Sequence, residues 1–444
     1  MLAKSSVSSR CELRNALANS GVGEETVPER EVRMPAKRTV GRREFLAKTA
    51  AASLGLSTAA AALAACAGES RVPSGFGLAR PDSPVTLPIY DDNPPIADGL
   101  EPERDATLRI YNWEEYLWAR VAEDFAQKYG ARVEIVNFDN MDEALPRLRS
   151  GDEFDVFFHR TDVVGRLAAS KLLQPLNHSY VPNLSRNVWP VYLNPFYDQG
   201  ARYGVPYTVY TTGIAWRVDR VKDDIAALNN PYEIFWDPSY QGKVHLLDDY
   251  REVISMALLK QGITDVNTSD PDTLRKVSRD LATLAGNVGA LDIDAYSDLP
   301  QGESWIHQAY SGDVIAAQYY FPEGEDPSVM RYWFPPDGTG VVANDCIGVP
   351  RKARHPVLAH LFINYLLDNT VAARNFGWNG YQPPQIQLEP SLLVAEGYVP
   401  PLIKNTITRR QAFNSGFMPM ELSPRTDSLW HSTWKAFKTD VAVA

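Results

Sequence analysis

From Leu108 onward the chain alternates short apolar runs with stretches whose apolar residues recur every three or four positions, and this alternation limits the possible folds more than any other feature. Residues 108–111 read as a strand. A helix over 115–129 follows, with Leu117, Val121 and Phe125 on one stripe and Gly130 as its stop. A strand over 132–137, a helix over 142–149, a strand over 154–158 and a helix over 163–173 continue the pattern. Strands connected through helices run parallel and need helices on both faces of the sheet. A second series has strands at 213–217 and 243–247, helices at 252–260, 273–285 and 303–311, and a strand at 314–318. With 444 residues there is chain enough for two such α/β lobes.

The N-terminal residues have a different character. Gly41-Arg42-Arg43-Glu44-Phe45-Leu46-Ala47-Lys48 has the twin-arginine export pattern, and an uncharged, Ala-rich run over 49–65 follows it. That run is too short and too weakly apolar for a membrane span. It ends in Leu63-Ala64-Ala65-Cys66, the form of a bacterial lipobox, in which the cysteine is lipidated and becomes the mature N-terminus; a plain cleaved signal with an incidental cysteine is the other reading. Glu24, Glu25, Glu29 and Glu31 are unusual in a leader, and translation from Met34 would give a conventional basic one. Residues 1–66 are thus expected to be a twin-arginine lipoprotein signal. Residues 67–105, with prolines from Pro73 to Pro102 and no hydrophobic period, are expected to be an extended tether.

Of the three cysteines, Cys11 lies in the leader, Cys66 in the lipobox and Cys346 in the body, so no internal disulfide holds the processed chain. The chain carries a net −11; its first 66 residues hold ten Lys/Arg against six Glu, which leaves −15 on the remainder. That acidity argues against nucleic acid as a partner and suits cations. Screening over about 8 Å at physiological salt nevertheless leaves selection to a local site.

Three places have the chemistry of such a site. Tyr111-Asn112-Trp113-Glu114-Glu115-Tyr116 mixes rings and carboxylates at a strand-to-helix junction, where α/β sheets bind ligands. Ring faces attract an ammonium group by roughly 0.5–2 kcal/mol each, and a carboxylate accepts its charge-assisted hydrogen bond. Equally, Trp113 and Tyr116 suit a core, and Glu114 and Glu115 suit a helix dipole. Asp249 and Glu252, three apart at a helix start, fit either a capping box or a pair of ligand carboxylates. Asp345, after Val341 and Val342, fits either a turn or an acceptor. A carboxylate pair of this kind also admits a glycosidase-like hydrolase, and a structural surface lipoprotein is a third possibility. The seven scattered histidines and the single body cysteine show no zinc-ligand spacing, so no metal and no cofactor are expected. Gly75-Phe76-Gly77 lacks a P-loop lysine.

Tyr111 to Tyr116, Phe154-Asp155-Val156, Gly204-Val205-Pro206-Tyr207, Asp248-Asp249-Tyr250-Arg251-Glu252, Asp345 to Pro350 and Gly380-Tyr381 together resemble, in order and spacing, the periplasmic spermidine/putrescine-binding proteins, the solute receptors of polyamine ABC importers. The resemblance covers nearly all of the chain from about Thr107. It implies an α/β, two-lobe periplasmic binding protein of type II, each lobe a mainly parallel sheet flanked by helices. Lobe one would be 106–212 with 345–400, and lobe two 213–344 with 401–444, joined by crossings near 211–213 and 341–344. It implies a polyamine in the interlobe cleft, held by Glu115, Asp249, Glu252 and Asp345 and by the rings of Trp113, Tyr116, Tyr381 and Tyr320, the last where the family usually has Trp. It also implies a monomer without enzymatic activity, exported to the periplasm, anchored through its lipid, and served by separate permease and ATPase subunits. Three positions depart from the family: Ala343 replaces a Trp, Asp162 a Tyr and Arg160 a Ser. Asp162 is expected to line the cleft and favour another cation such as agmatine, unless it is neutralised by Arg160 at an exposed strand end.

Overall fold

The computed structural model describes residues 77–444. The export segment with Arg42 and Arg43, the lipobox with Cys66 and the first part of the tether lie outside the described residues.

Strands β1 (Thr107–Trp113) and β2 (Arg132–Phe138) pair in parallel along their whole length, with helix α1 (Ala119–Tyr129) between them. α1 buries Val121, Ala122 and Phe125 on one side and ends at Gly130, whose φ of 63° is a conformation glycine adopts without a Cβ clash. α2 (Met141–Ser150) begins at Asn140, whose side chain accepts from the Glu143 N–H, and leads to β3 (Val156–Arg160), parallel to β1. After α3 (Val164–Ala169) and the two-residue β4 (Leu173–Gln174), the chain enters β5 (Val205–Arg217). The second half contains β6 (Val244–Leu247), α4 (Tyr250–Lys260), α5 (Pro271–Leu284), β7 (Val288–Asp292), α6 (Ala295–Gln301), β8 (Ile306–Tyr310), α7 (Ser311–Ala316) and β9 (Met330–Trp333). β10 (Val341–Pro350), α8 (Pro356–Leu366), α9 (Asn369–Asn379) and the C-terminal α10 (Pro424–Val443) follow.

The main sheet runs β2-β1-β3-β10-β5-β8-β6-β7. Its outer three strands are parallel in each half, whereas β5 and β10 are antiparallel to their neighbours. β5 and β10 are buried at every residue and are common to both halves. The two segments read as crossings are paired with each other, Val341 opposite Thr212 and Ala343 opposite Tyr210. Each half has its own core. Leu108, Ile110, Phe125, Phe158 and Phe362 form one, and Val244, Leu246, Ile254, Leu281 and Trp430 another. This is the two-lobe α/β architecture expected, with α8 returning to the first core and α10 packing on the second.

Two expectations are corrected. Residues 303–311 and 314–318, read as helix then strand, are instead strand β8 followed by α7. β8 is an interior strand between β5 and β6 and is buried on both faces from Ile306 to Ala309, so its side chains show no strand alternation; His307 and Gln308 are tolerated there through hydrogen bonds. From residue 77, the tether is extended but not free. Leu87 and Asn93 are buried, the Val85 N–H donates to Phe196 O at 2.8 Å, and Arg202 Nη1 donates to Leu87 O at 2.8 Å. The Glu103 carboxylate accepts from the first N–H groups of α8, those of Val357 and Leu358, at 3.1 and 2.9 Å. The prolines make this strap extended, and the body supplies partners for its backbone.

Candidate functional site

β1 ends at Trp113 and the chain turns at once through Glu115, whose φ of 52° lies in the left-handed region. Holding a residue with a Cβ there costs on the order of 1–3 kcal/mol. The turn directs Glu115 to Tyr320, whose hydroxyl donates to Glu115 Oε2 at 2.9 Å. Tyr116, next in the chain, is buried among rings: Trp113 at 5.5 Å, Tyr207 at 5.1 Å and Tyr381 at 4.6 Å, all edge-on.

The Tyr116 hydroxyl donates to Asp345 Oδ2 at 2.8 Å and also meets the Thr208 hydroxyl, while Tyr210 donates to Asp345 Oδ1 at 3.2 Å. The register between β5 and β10 slips just after Asp345, where Pro206 faces Cys346; such a bulge re-aims a side chain and accommodates a proline that has no N–H to give. Tyr210 stands edge-on to both Tyr310 (5.2 Å) and Tyr381 (6.1 Å), and Tyr381 donates to Asp313 Oδ1 at 2.7 Å. A Cβ on Gly312 would overlap the Tyr381 ring, so glycine permits that approach.

At the other end Asp249 caps α4, its Oδ1 accepting from the Arg251 and Glu252 N–H groups at 2.8 and 3.3 Å. Its Oδ2 is paired with Arg160. Arg160 also grips Asp162 with two bonds, Nε to Oδ1 at 3.0 Å and Nη2 to Oδ2 at 2.7 Å, and Arg251 lies 3.8 Å from Asp162. Burial alone would raise Asp162, but Arg160 and Arg251 hold it below the usual carboxylate range.

The remaining acids have no such partner. Among the described residues no lysine, arginine or histidine lies within ion-pair distance of Glu252, Asp313 or Asp345. Burial raises Glu252 to about 8, with the charge of Asp249 adding to it. Burial likewise raises Asp313 to about 8 and Asp345 to about 7, although tyrosine hydroxyls donate to both. Glu252 Oε2 and Asp313 Oδ2 are buried with no hydrogen-bond partner. A buried oxygen left in this state favours a cation or a proton.

The family described as bacterial extracellular solute-binding protein matches residues 120–391. The chain belongs to that family. It is similar to spermidine/putrescine-binding periplasmic protein 1 of Haemophilus influenzae, 28% identical over 64% of this chain and 77% of that one. It is similar also to the putrescine/agmatine-binding protein of Pseudomonas aeruginosa, 26% identical over 62% and 77%. Among solved structures, a putative spermidine/putrescine ABC transporter protein from Listeria monocytogenes shares the fold, with a TM-score of 0.66 at 22% identity over 75% of this chain and 98% of that one. This solute-binding protein is not an enzyme, and the hydrolase reading falls away.

Of the residues singled out in its sequence, Tyr116, Asp345 and Tyr381 are joined by touching rings and hydrogen bonds. Burial and then the charges of Asp345 and Glu252 raise the Tyr210 hydroxyl. Trp113 is half-buried against Tyr116 and Phe138. Glu115 and Tyr320 pair with each other, and Tyr296 stands 4.9 Å from Tyr320. Asp162 follows the alternative in which Arg160 neutralises it, and what differs is the exposure of the pair. Both its oxygens are engaged by Arg160, and the pair is buried, with side-chain exposures of 2% and 12%, rather than lying at an open strand end. The sequence reading missed Asp313, Tyr210 and Tyr310. Asp313 was hidden by the exchanged helix and strand at 303–318, since an acid in the first helical turn after a sheet strand is a typical cleft position.

Proposed function

We propose that this protein is the receptor of an ABC importer and binds a short linear organic dication of the polyamine class in its cleft. One observation supports this above others. Four buried carboxylates, Asp162, Glu252, Asp313 and Asp345, and the half-buried Asp249 meet, among the described residues, ion-pair contacts from two arginines, Arg160 and Arg251, and the surplus acids lie among Tyr116, Tyr210, Tyr310 and Tyr381. Acids along a wall of rings suit a molecule with ammonium ends and a methylene middle. The names of the Haemophilus and Pseudomonas relatives agree with that chemistry.

Arg160 narrows the class. Its guanidinium already occupies Asp162 and Asp249, where the resembled family has a serine, so one end of the site is filled by the protein's own cation. The solute is then putrescine or agmatine rather than spermidine. Calorimetric titration of putrescine, agmatine, spermidine and the monoamine butylamine tests both points. The wild type should bind the two shorter dications about tenfold or more tightly than spermidine, an offset of about 1.4 kcal/mol or more, and butylamine weakly. Arg160→Ser should improve spermidine relative to putrescine. Absence of binding by every cation would overturn the function; spermidine as the tightest ligand of the wild type would overturn the role of Arg160.

The halves 106–212 with 345–400 and 213–344 with 401–444 act as the closing lobes, hinged where 211–213 and 341–344 pair, and the protein works as a monomer with separate permease and ATPase chains. Export through Arg42 and Arg43 and lipidation at Cys66 anchor it outside the cytoplasm. Cys66→Ser should move the protein from the membrane to the soluble fraction. A wild type already soluble would exclude the anchor.

A further inference from the structure

β6, β7, β8 and α6 gather two histidines and two aspartates from positions spread between 245 and 307. His245 and His307 are register partners in the parallel β6–β8 pair, with ring centroids 5.6 Å apart. Asp292 ends β7 and Asp298 lies in the first turn of α6. His245 Nδ1 is 2.9 Å from Asp298 Oδ2 and 3.3 Å from Asp292 Oδ2, and His307 Nε2 is 3.1 Å from Asp292 Oδ1. One ligand atom from each residue lies within 4.8 Å of all the others.

The ring of His307 is the informative one. Its Nδ1 faces the Gln308 backbone carbonyl at 2.7 Å, an acceptor that has no proton to give, so Nδ1 carries the proton. In a neutral imidazole Nε2 then turns its lone pair to a carboxylate oxygen, and His307 is fully buried. Two acceptors face each other out of water unless a positive charge lies between them. An imidazole anchored through Nδ1–H to a backbone carbonyl, with Nε2 directed at carboxylates, is the arrangement that orients metal-binding histidines.

We propose that His245, Asp292, Asp298 and His307 form a site for one divalent transition metal ion of the zinc type. Tetrahedral Zn²⁺ with bonds of about 2.0–2.2 Å places its ligand atoms roughly 3.3 Å apart; the three His–Asp contacts here are 2.9–3.3 Å and the full set lies within 4.8 Å, so a small inward shift of the wider pairs closes the site on the ion. Two imidazole nitrogens favour zinc, nickel or copper over calcium and magnesium, which prefer all-oxygen shells. The ion would supply positive charge between the imidazole nitrogens and the carboxylate oxygens, and would lock α6 to the strands β6, β7 and β8. The histidines show no metal spacing in the sequence because each ligand comes from a different element.

The full-length protein, stripped with a chelator, is titrated with ZnCl₂ by calorimetry and followed by thermal unfolding. One Zn²⁺ per chain should bind and raise the melting temperature, and Co²⁺ in its place should show the intense visible band of four-coordinate cobalt. Asp298→Asn and His245→Gln should each weaken zinc by at least about tenfold and reduce the cobalt band. Asp298 is partly exposed on α6, so its amide keeps the shape of the site and the fold. No saturable zinc binding by the wild type, or binding undiminished in both variants, would overturn the site.

Discussion

Asp345→Asn should weaken putrescine binding about tenfold to a hundredfold while leaving the melting temperature of the solute-free protein unchanged or higher. The carboxylate is positioned by two phenols, Tyr116 on Oδ2 and Tyr210 on Oδ1, and forms no ion pair among the described residues. A charge-assisted hydrogen bond to an ammonium group contributes about 1.5–3 kcal/mol, and each 1.4 kcal/mol is about a factor of ten. The amide has nearly the same shape, and its oxygen can still accept from one of the phenols. Without solute the same substitution removes a buried group that resists ionisation, since burial raises Asp345 to about 7. Affinity should therefore fall and stability should not. Calorimetry and thermal unfolding on the two proteins decide it: wild-type affinity in the variant would remove Asp345 from the site.

Solute affinity should rise steeply from about pH 5 to about pH 8 while the stability of the empty protein falls over the same range. Glu252 and Asp313 at about 8 and Asp345 at about 7 are raised above the unfolded-chain value of about 4. Between those limits the folded chain holds more protons than the unfolded one. The stability from these groups is thus complete below about pH 4 and is lost as pH rises through their folded values. Binding has the opposite sign, because an ammonium end needs the ionised acid. Below its folded value each protonated acid lowers affinity by up to about tenfold per pH unit, and proton release accompanies binding. Comparing melting curves with and without saturating putrescine cancels titrating groups away from the cleft. Titrations in two buffers of different ionisation enthalpy count the protons released. Flat affinity from pH 5 to 8 would mean that these carboxyls do not meet the solute.

The elements read most directly were those whose signals are local. Gly130 ends α1, Asp249 starts α4 and the stripe of Leu274, Val277 and Leu281 makes α5, because caps and helical periodicity depend on residues within a turn or two. β8 was misread because its pattern depends on what covers it. A strand buried on both faces loses its alternation, and its polar His307 and Gln308 are satisfied by groups elsewhere in the fold.

The sequence by itself determined that this is an α/β chain in two halves and that Glu115 and Asp249 stand where a strand gives way to a helix, since both follow from residues that are neighbours along the backbone. Only the tertiary structure decided how those acids are partnered. Arg160 reaches Asp249, 89 residues away, and so fills one end of the site, while Asp313 and Asp345 are left to tyrosines. It alone also placed His245 beside His307 and directed Asp298 toward them. The reason is physical. Whether a buried carboxylate is neutralised, protonated or left for a cation depends on which charges lie within a few ångströms across strands, and spacing along the chain carries no record of that distance.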